Sequence, residues 1–253
     1  MTPGALCDPA IVGPLVALDA CALLHVPARV ADRGDEPGDV SIPGERGAGA
    51  VMLAVMFARF LDRYPLPDGR AGDLWDAGPL LGTGGYAGLA RQAAGLPLCG
   101  GLLRLAGARE GQLASGFIRD GFPELAAVAE PFAVDWIGRV LALDQSRPPG
   151  LLLFQPGSAE AFEIGESFAD FFNVDVVDDP DLFLAADLFR EWQAAGGEVP
   201  GTGQCVGFKA PLFLGGHGIA ANLELTGLEV YWSFAAQGRG DSADSHHSID
   251  PVP

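Results

Sequence analysis

Lysine is almost absent from this chain: Lys209 is the only one among 253 residues, and arginine supplies the other 14 strong bases. Against 33 acids they leave a formal charge of −18. A protein so short of cations cannot neutralise a run of phosphates, and the composition argues against direct binding of nucleic acid. Histidine is scarce too, with four copies, two of them adjacent near the C-terminus as His246 and His247. That leaves His25 and His217, too little material for a Ser-His-Asp triad or a multi-histidine metal centre. The four cysteines, Cys7, Cys21, Cys99 and Cys205, are widely spaced and form no Cys-x-x-Cys pair. They read as buried free thiols rather than zinc ligands. Long apolar runs are missing near the start, where Ala20 to Val26 is too short to span a bilayer. No base precedes Arg29, and Asp8 and Asp19 interrupt the first apolar stretch, a poor match to a secretory leader. The expectation is a cytoplasmic protein with no membrane partner.

Acid, by contrast, is abundant and uneven. Residues 1–119 carry 12 acids and 10 bases, whereas residues 120–198 carry 16 acids and 3 bases. An acidic composition kept only for high salt would be spread along the whole chain. A concentrated field of this sign attracts a basic protein surface and speeds encounter with it. From composition alone, plain solubility is the favoured reading over partner binding.

Hydrophobic periodicity divides the chain into elements. Pro9 to Val26 has the content of one helix, weakened by Pro14, and the Gly/Pro-rich stretch 28–50 reads as a loop. Met52, Val55, Met56, Phe60 and Tyr64 then fall at helical spacing, which predicts one core-facing helix ended by Pro65. FPELAAVA (122–129) reads as a short helix with Pro123 in its first turn. FAVDWIGRVLALD (132–144) is a strand, a turn at Gly138 and a second strand. GLLLFQPGSAEAFEIG (150–165) repeats the pattern around Pro-Gly-Ser. DDPDLFLAADLFREWQAAGG (178–197) carries a helix signature: Asp179 as cap, Pro180 at the first position, Asp181 in the first turn and Gly196 at the end. Thr226 and Glu229 form a T-x-x-E capping box that predicts a helix over LEVYWSFAAQ (228–237). The remaining residues, 238–253, are polar and aperiodic and read as a disordered tail.

Motifs that would mark catalysis are weak. Gly216-His217-Gly218-Ile219-Ala220-Ala221 fits G-x-G-x-x-A, but no helix is predicted where a pyrophosphate would need one. Gly82-Thr83-Gly84-Gly85-Tyr86-Ala87 fits as well, yet it follows a Pro-containing segment instead of a strand. Asp135, Glu160 and Glu163 could pair for acid–base work, although a solvated face is the better reading in so acidic a segment. No catalytic residue, metal site or cofactor is assigned.

The succession FAVDWIGRVLALD, LLLFQPGSAEAFEIGESFADFFN (151–173), CVGFKAPLFLGG (205–216) and NLELTGLEVYW (222–232), then Gln237, resembles bacterial immunity-type proteins. Within these it is similar to the C-terminal domains of type VI secretion DNase-immunity proteins, near the broader SUKH immunity superfamily. The resemblance spans roughly Gly100 to Gln237. It implies an α+β fold with a mixed, mostly antiparallel sheet flanked by helices. It also implies no enzymatic activity, and a role in binding and blocking a toxin. Pro211, Gly215, Gly216 and Asn222 would then be scaffold that shapes a corner. The chain departs from the pattern in residues 1–99, a more helical and loop-rich region of unassigned role, and at His217-Gly218, where acidic residues are expected.

Charge and resemblance converge on one expectation. A nuclease must present a basic surface to hold phosphates, and an inhibitor can offer carboxylates in their place. Asp170, Asp175, Asp178, Asp179 and Asp181 are the candidate partner-facing residues, and the candidate partner is a basic protein toxin such as a nuclease effector. Phe168, Phe171 and Phe172, interleaved with them, read as core before interface anchors. Two alternatives stay open: a SUKH-like regulatory or scaffold protein with no toxin partner, and a nucleotide-binding enzyme using a glycine corner.

Overall fold

The computed structural model describes residues 45–165 and 167–245. Expectations for residues 1–44, including the helix over 9–26, His25, Cys7 and Cys21, lie outside the described residues, as do His246 and His247.

The chain enters through helices α1 (Glu45–Met56) and α2 (Ala58–Arg63), where the sequence predicts one helix. The break falls at Phe57 (φ −117°, ψ 33°), whose fully buried ring meets those of Phe168 and Phe172 edge-on. Asn173 satisfies the backbone groups near the break: its Nδ2 donates to Met56 O (2.6 Å) and its Oδ1 accepts from Phe60 N (3.3 Å). A helix interruption costs little once a side chain replaces the lost bonds.

Short helices α3 (Gly78–Leu81) and α4 (Tyr86–Ala93) follow, then strands β1 (Pro97–Leu98) and β2 (Leu103–Leu105) and the 14-residue helix α5 (Ala108–Gly121). The helix expected at 122–129 is instead a series of turns, with Leu125 N, Ala126 N and Val128 N each bonded three residues back. Pairing with Asp144 then draws Ala129 into β3 (Ala129–Asp135). Strands β4 (Val140–Asp144), β5 (Leu151–Gln155) and β6 (Glu160–Gly165) complete the main sheet, as the sequence predicts.

The six strands lie in sequence order, each antiparallel to the next. Strands β3 and β4 are buried almost throughout and β5 nearly so, whereas edge strand β6 is half exposed. Near-continuous apolar runs such as VLAL and LLLF are what a sheet covered on both faces requires.

A continuous helical run comes next: α6 (Phe168–Asp170), a π turn over Phe171–Asp175 and α7 (Val176–Asp178). The single helix predicted after Asp179 is two, α8 (Pro180–Leu184) and α9 (Ala186–Ala194), separated by Ala185 in a left-handed conformation (φ 51°, ψ 46°). Buried donors explain the break. Arg139 Nη2 reaches Phe183 O and Trp136 Nε1 reaches Leu184 O, both at 2.8 Å, which ends α8 on the β3–β4 turn.

Strands β7 (Gln204–Phe208) and β8 (Leu223–Gly227) form a separate antiparallel pair that leads into α10 (Leu228–Ser245). Helix α10 starts where the capping signal placed it, while Thr226 still pairs with Cys205 in the ladder. It also runs to Ser245, into the stretch from Gly238 expected to be a disordered tail, and Gly238 itself packs on the Phe213 ring, leaving no room for a Cβ.

The fold is α+β, as expected. Residues on either side of position 99, where the resemblance begins, pack together. Phe57, Phe60, Tyr86 and Leu89 share one core with Phe132, Phe168 and Phe172, and the β1–β2 hairpin straddles the position. Among the described residues no helix is long and apolar enough to cross a membrane.

Candidate functional site

The acidic stretch is held as a platform by its own phenylalanines. Phe168, Phe171 and Phe172 are fully buried, and the Phe168 ring lies 5.0–6.0 Å from those of Phe57, Tyr86, Phe132 and Phe172. They are core, and the interleaving seen in sequence is the ordinary alternation of a helix with one face inward. What remains outside is a stripe. Asp170, Val174 and Asp178 stand four residues apart along the helical run and all three are exposed, Val174 at 40%.

Each candidate aspartate has a local environment. Ser167 caps α6: its Oγ accepts from Asp170 N (3.1 Å) and donates to Asp170 Oδ2 (2.6 Å). Asp175 is half-buried, its Oδ2 3.2 Å from where a Cβ on Gly165 would stand. Asp178 pairs with Arg59 across the surface at 2.6 Å. Asp179 is the helix cap the sequence predicts, its Oδ1 accepting from Leu182 N at 3.0 Å. Asp181 is half-buried and faces Arg190 at 3.5 Å, while Arg190 also contacts Asp187. The structure therefore brings all five onto consecutive short helices, with Asp170, Asp178 and Asp179 the exposed members. Arg59 and Asn173, which tie this platform to α1 and α2, carry no signal in the sequence, because their partners lie more than a hundred positions away.

The glycine corner is a second ordered feature. Asn222 closes it with three side-chain bonds: Oδ1 accepts from Ala210 N (3.0 Å), and Nδ2 donates to Ala210 O and His217 O (both 2.9 Å). Gly216 N donates to Pro211 O at 3.0 Å, and a Cβ at Gly216 would lie 1.8 Å from Ala210 O. Gly215 is left-handed (φ 85°) and ends the short 3₁₀ turn Leu212–Leu214. Leu212 N reaches Gly157 O (2.9 Å), which docks the corner on the β5–β6 turn. After His217-Gly218 comes only the three-residue 3₁₀ turn Ala220–Asn222, with no helix start to face a pyrophosphate. At the other fingerprint match, Gly85 precedes α4 but the segment before it is helix α3, and Gly85 is needed because a Cβ would strike Met56 and Phe57.

The interior holds one tight ion pair. Asp135 accepts from Arg139 N (2.8 Å) and Arg139 Nε (2.5 Å) with both side chains buried, and Arg139 carries the bond to Phe183 O. It is a structural node joining the β3–β4 turn to the acidic helices, distant in role from the solvated carboxylates expected of Asp135. Glu160 and Glu163 lie on edge strand β6, and Glu163 pairs with Arg147 (2.5 Å). Burial pushes the Cys99 thiol up to about 12 and raises Cys205 as well, so both stay protonated at neutral pH. Among the described residues no group of three or more His, Cys, Asp and Glu side chains is arranged to hold a metal.

Fold and surface together define an α+β protein with an acidic helical face anchored in the core by Phe168, Phe171 and Phe172. The chain matches no protein-family model and no curated protein. It is similar in fold to the crystal structure of Atu4351 from Agrobacterium tumefaciens, with a TM-score of 0.53 and 13% identity over 72% of this chain and 88% of that one. At that identity the likeness shows the fold.

Proposed function

We propose that this is an immunity-type protein that acts in the cytoplasm, binding and neutralising a basic toxin, a nuclease effector of a type VI secretion system by the resemblance of residues 100–237. The observation that carries the reading is the Asp170–Val174–Asp178 stripe, an exposed apolar residue between two exposed carboxylates on a helix whose inner face is locked in the core. Carboxylates stand in for the phosphates a nuclease binds, and they steer encounter. The apolar side chain supplies the desolvated contact that an interface needs at its centre. A rigid platform loses little entropy on binding.

The test is co-expression of the chain with toxin reading frames that neighbour its gene. Growth should be rescued by the wild-type chain. The purified pair should lose at least about tenfold in affinity with Asp178→Lys or Val174→Glu, and weaken between low and high salt. Unchanged affinity and on-rate in both variants would remove the acidic face from the interface. Capture of a resident host protein, with no response to nuclease toxins, would favour the SUKH-like scaffold reading.

A further inference from the structure

We propose that the cleft at the start of α5 is a binding site for a small organic oxyanion, a ligand carrying one carboxylate or phosphate group on a compact apolar body. The cleft has a volume of about 340 Å³, within the lower range of small-molecule sites. None of its lining residues belongs to the acidic helices, so this site is independent of the toxin reading.

Four segments distant in sequence build it, and hydrogen bonds fix them. Gly72 N donates to Ala94 O, Gly95 N to Leu105 O and Ala108 N to Asp73 O, all at 2.8–2.9 Å. Arg104 draws in the last wall through Pro200 O (2.9 Å) and Gly201 O (3.2 Å), which sets Thr202 at the rim. The cleft is therefore pre-formed.

Its lining is formally balanced, two arginines against Asp73 and Glu110, where the chain at large is strongly acidic. Arg70 and Arg109 line it from different segments, and neither forms an ion pair among the described residues. Two exposed arginines without a carboxylate partner among the described residues therefore line one cleft of a chain with 33 acids and 15 bases. Of the two acids in the lining, Glu110 is buried and already partnered: its Oε2 accepts from Gly107 N (3.3 Å) and its Oε1 lies 3.7 Å from the Arg104 guanidinium, which balances its charge. Asp73 is exposed at the mouth. Two guanidiniums outweigh one exposed carboxylate, the Thr202 hydroxyl adds a neutral donor, and Leu96 supplies the apolar wall. Paired guanidiniums suit a planar carboxylate or a phosphate, either of which accepts several N–H bonds at once.

The experiment is calorimetric titration of the full chain with three probes of one body and different heads: benzoate, phenyl phosphate and benzamidine. Benzoate or phenyl phosphate should bind with a Kd below about 1 mM, and the tighter of the two identifies the head group; benzamidine should not bind. Arg70→Gln and Arg109→Gln should each weaken binding about tenfold, while Arg119→Gln, a surface arginine outside the cleft, leaves it unchanged. Thr202→Val provides a further variant on an exposed side chain should either arginine variant fold poorly. Failure of both anions to bind, equal binding of benzamidine, or binding indifferent to all three cleft variants would overturn the proposal.

Discussion

Asp135 and Arg139 show how much one pair of residues can organise. Arg139 neutralises Asp135 in the interior through Nε and caps the carbonyl of Phe183 through Nη2, so a single guanidinium joins the β3–β4 turn to the end of α8. Removing one partner leaves the other charge buried without compensation, and this costs far more than an intact pair contributes. Asp135→Asn should therefore destabilise the protein by about 3 kcal/mol or more, read as a lower urea midpoint. It should also loosen α8, visible as faster amide exchange at Phe183 and Leu184, whereas exchange along β5 would change only with global stability. A variant as stable as the wild type would show that the pair is dispensable. In the sequence these residues appear only as one acid and one base four positions apart in a predicted turn; the burial that makes them matter is not visible there.

At the scale of elements, the β7–β8 connection is a turn built like a small clasp. The resemblance implies a corner at Pro211, Gly215, Gly216 and Asn222, and each takes part in the hydrogen-bonded loop that seats on Gly157. Gly216 is the position with no tolerance, since an added methyl would overlap Ala210 O. Gly216→Ala should cost about 2 kcal/mol and lower the melting temperature, while Gly218→Ala, where a Cβ meets nothing within 4 Å, should be close to neutral. Equal effects at the two glycines would mean that the corner is not packed as described. The strand hairpins around Gly138 and Pro156-Gly157 were legible because alternation and turn residues are local. The two helix breaks were not. Phe57 and Ala185 lie inside good helical periodicity, and what interrupts them are Asn173, Arg139 and Trp136 reaching in from other elements.

For the whole molecule, charge dominates. A formal charge of −18 stores self-repulsion in the compact state. The exposed ion pairs Arg59–Asp178, Arg147–Glu163 and Arg190–Asp181 offset little of it, because surface pairs contribute about 0–1 kcal/mol each. Raising salt from about 0.05 M to about 0.5 M shortens the screening length several-fold and should raise the melting temperature of the free protein while it weakens the proposed toxin complex. A melting temperature that falls with salt would mean that the pairs outweigh the repulsion. The two opposite salt responses separate stability from binding in one series of measurements.

By itself the sequence determined the two strand hairpins around Gly138 and Pro156-Gly157, the Asp179 cap, the start of α10 and the concentration of acid, since each depends on neighbours within a few residues or on composition alone; the α+β class came with the resemblance. Tertiary structure decided the rest. It placed Phe168, Phe171 and Phe172 inward and left Asp170, Val174 and Asp178 outward, joined residues 45–99 to the sheet in one core, and brought Arg70, Arg109 and Thr202 around one cleft. The reason is physical: burial, pairing and cavity walls are properties of residues that meet across long stretches of chain, and no local pattern encodes which of them will meet.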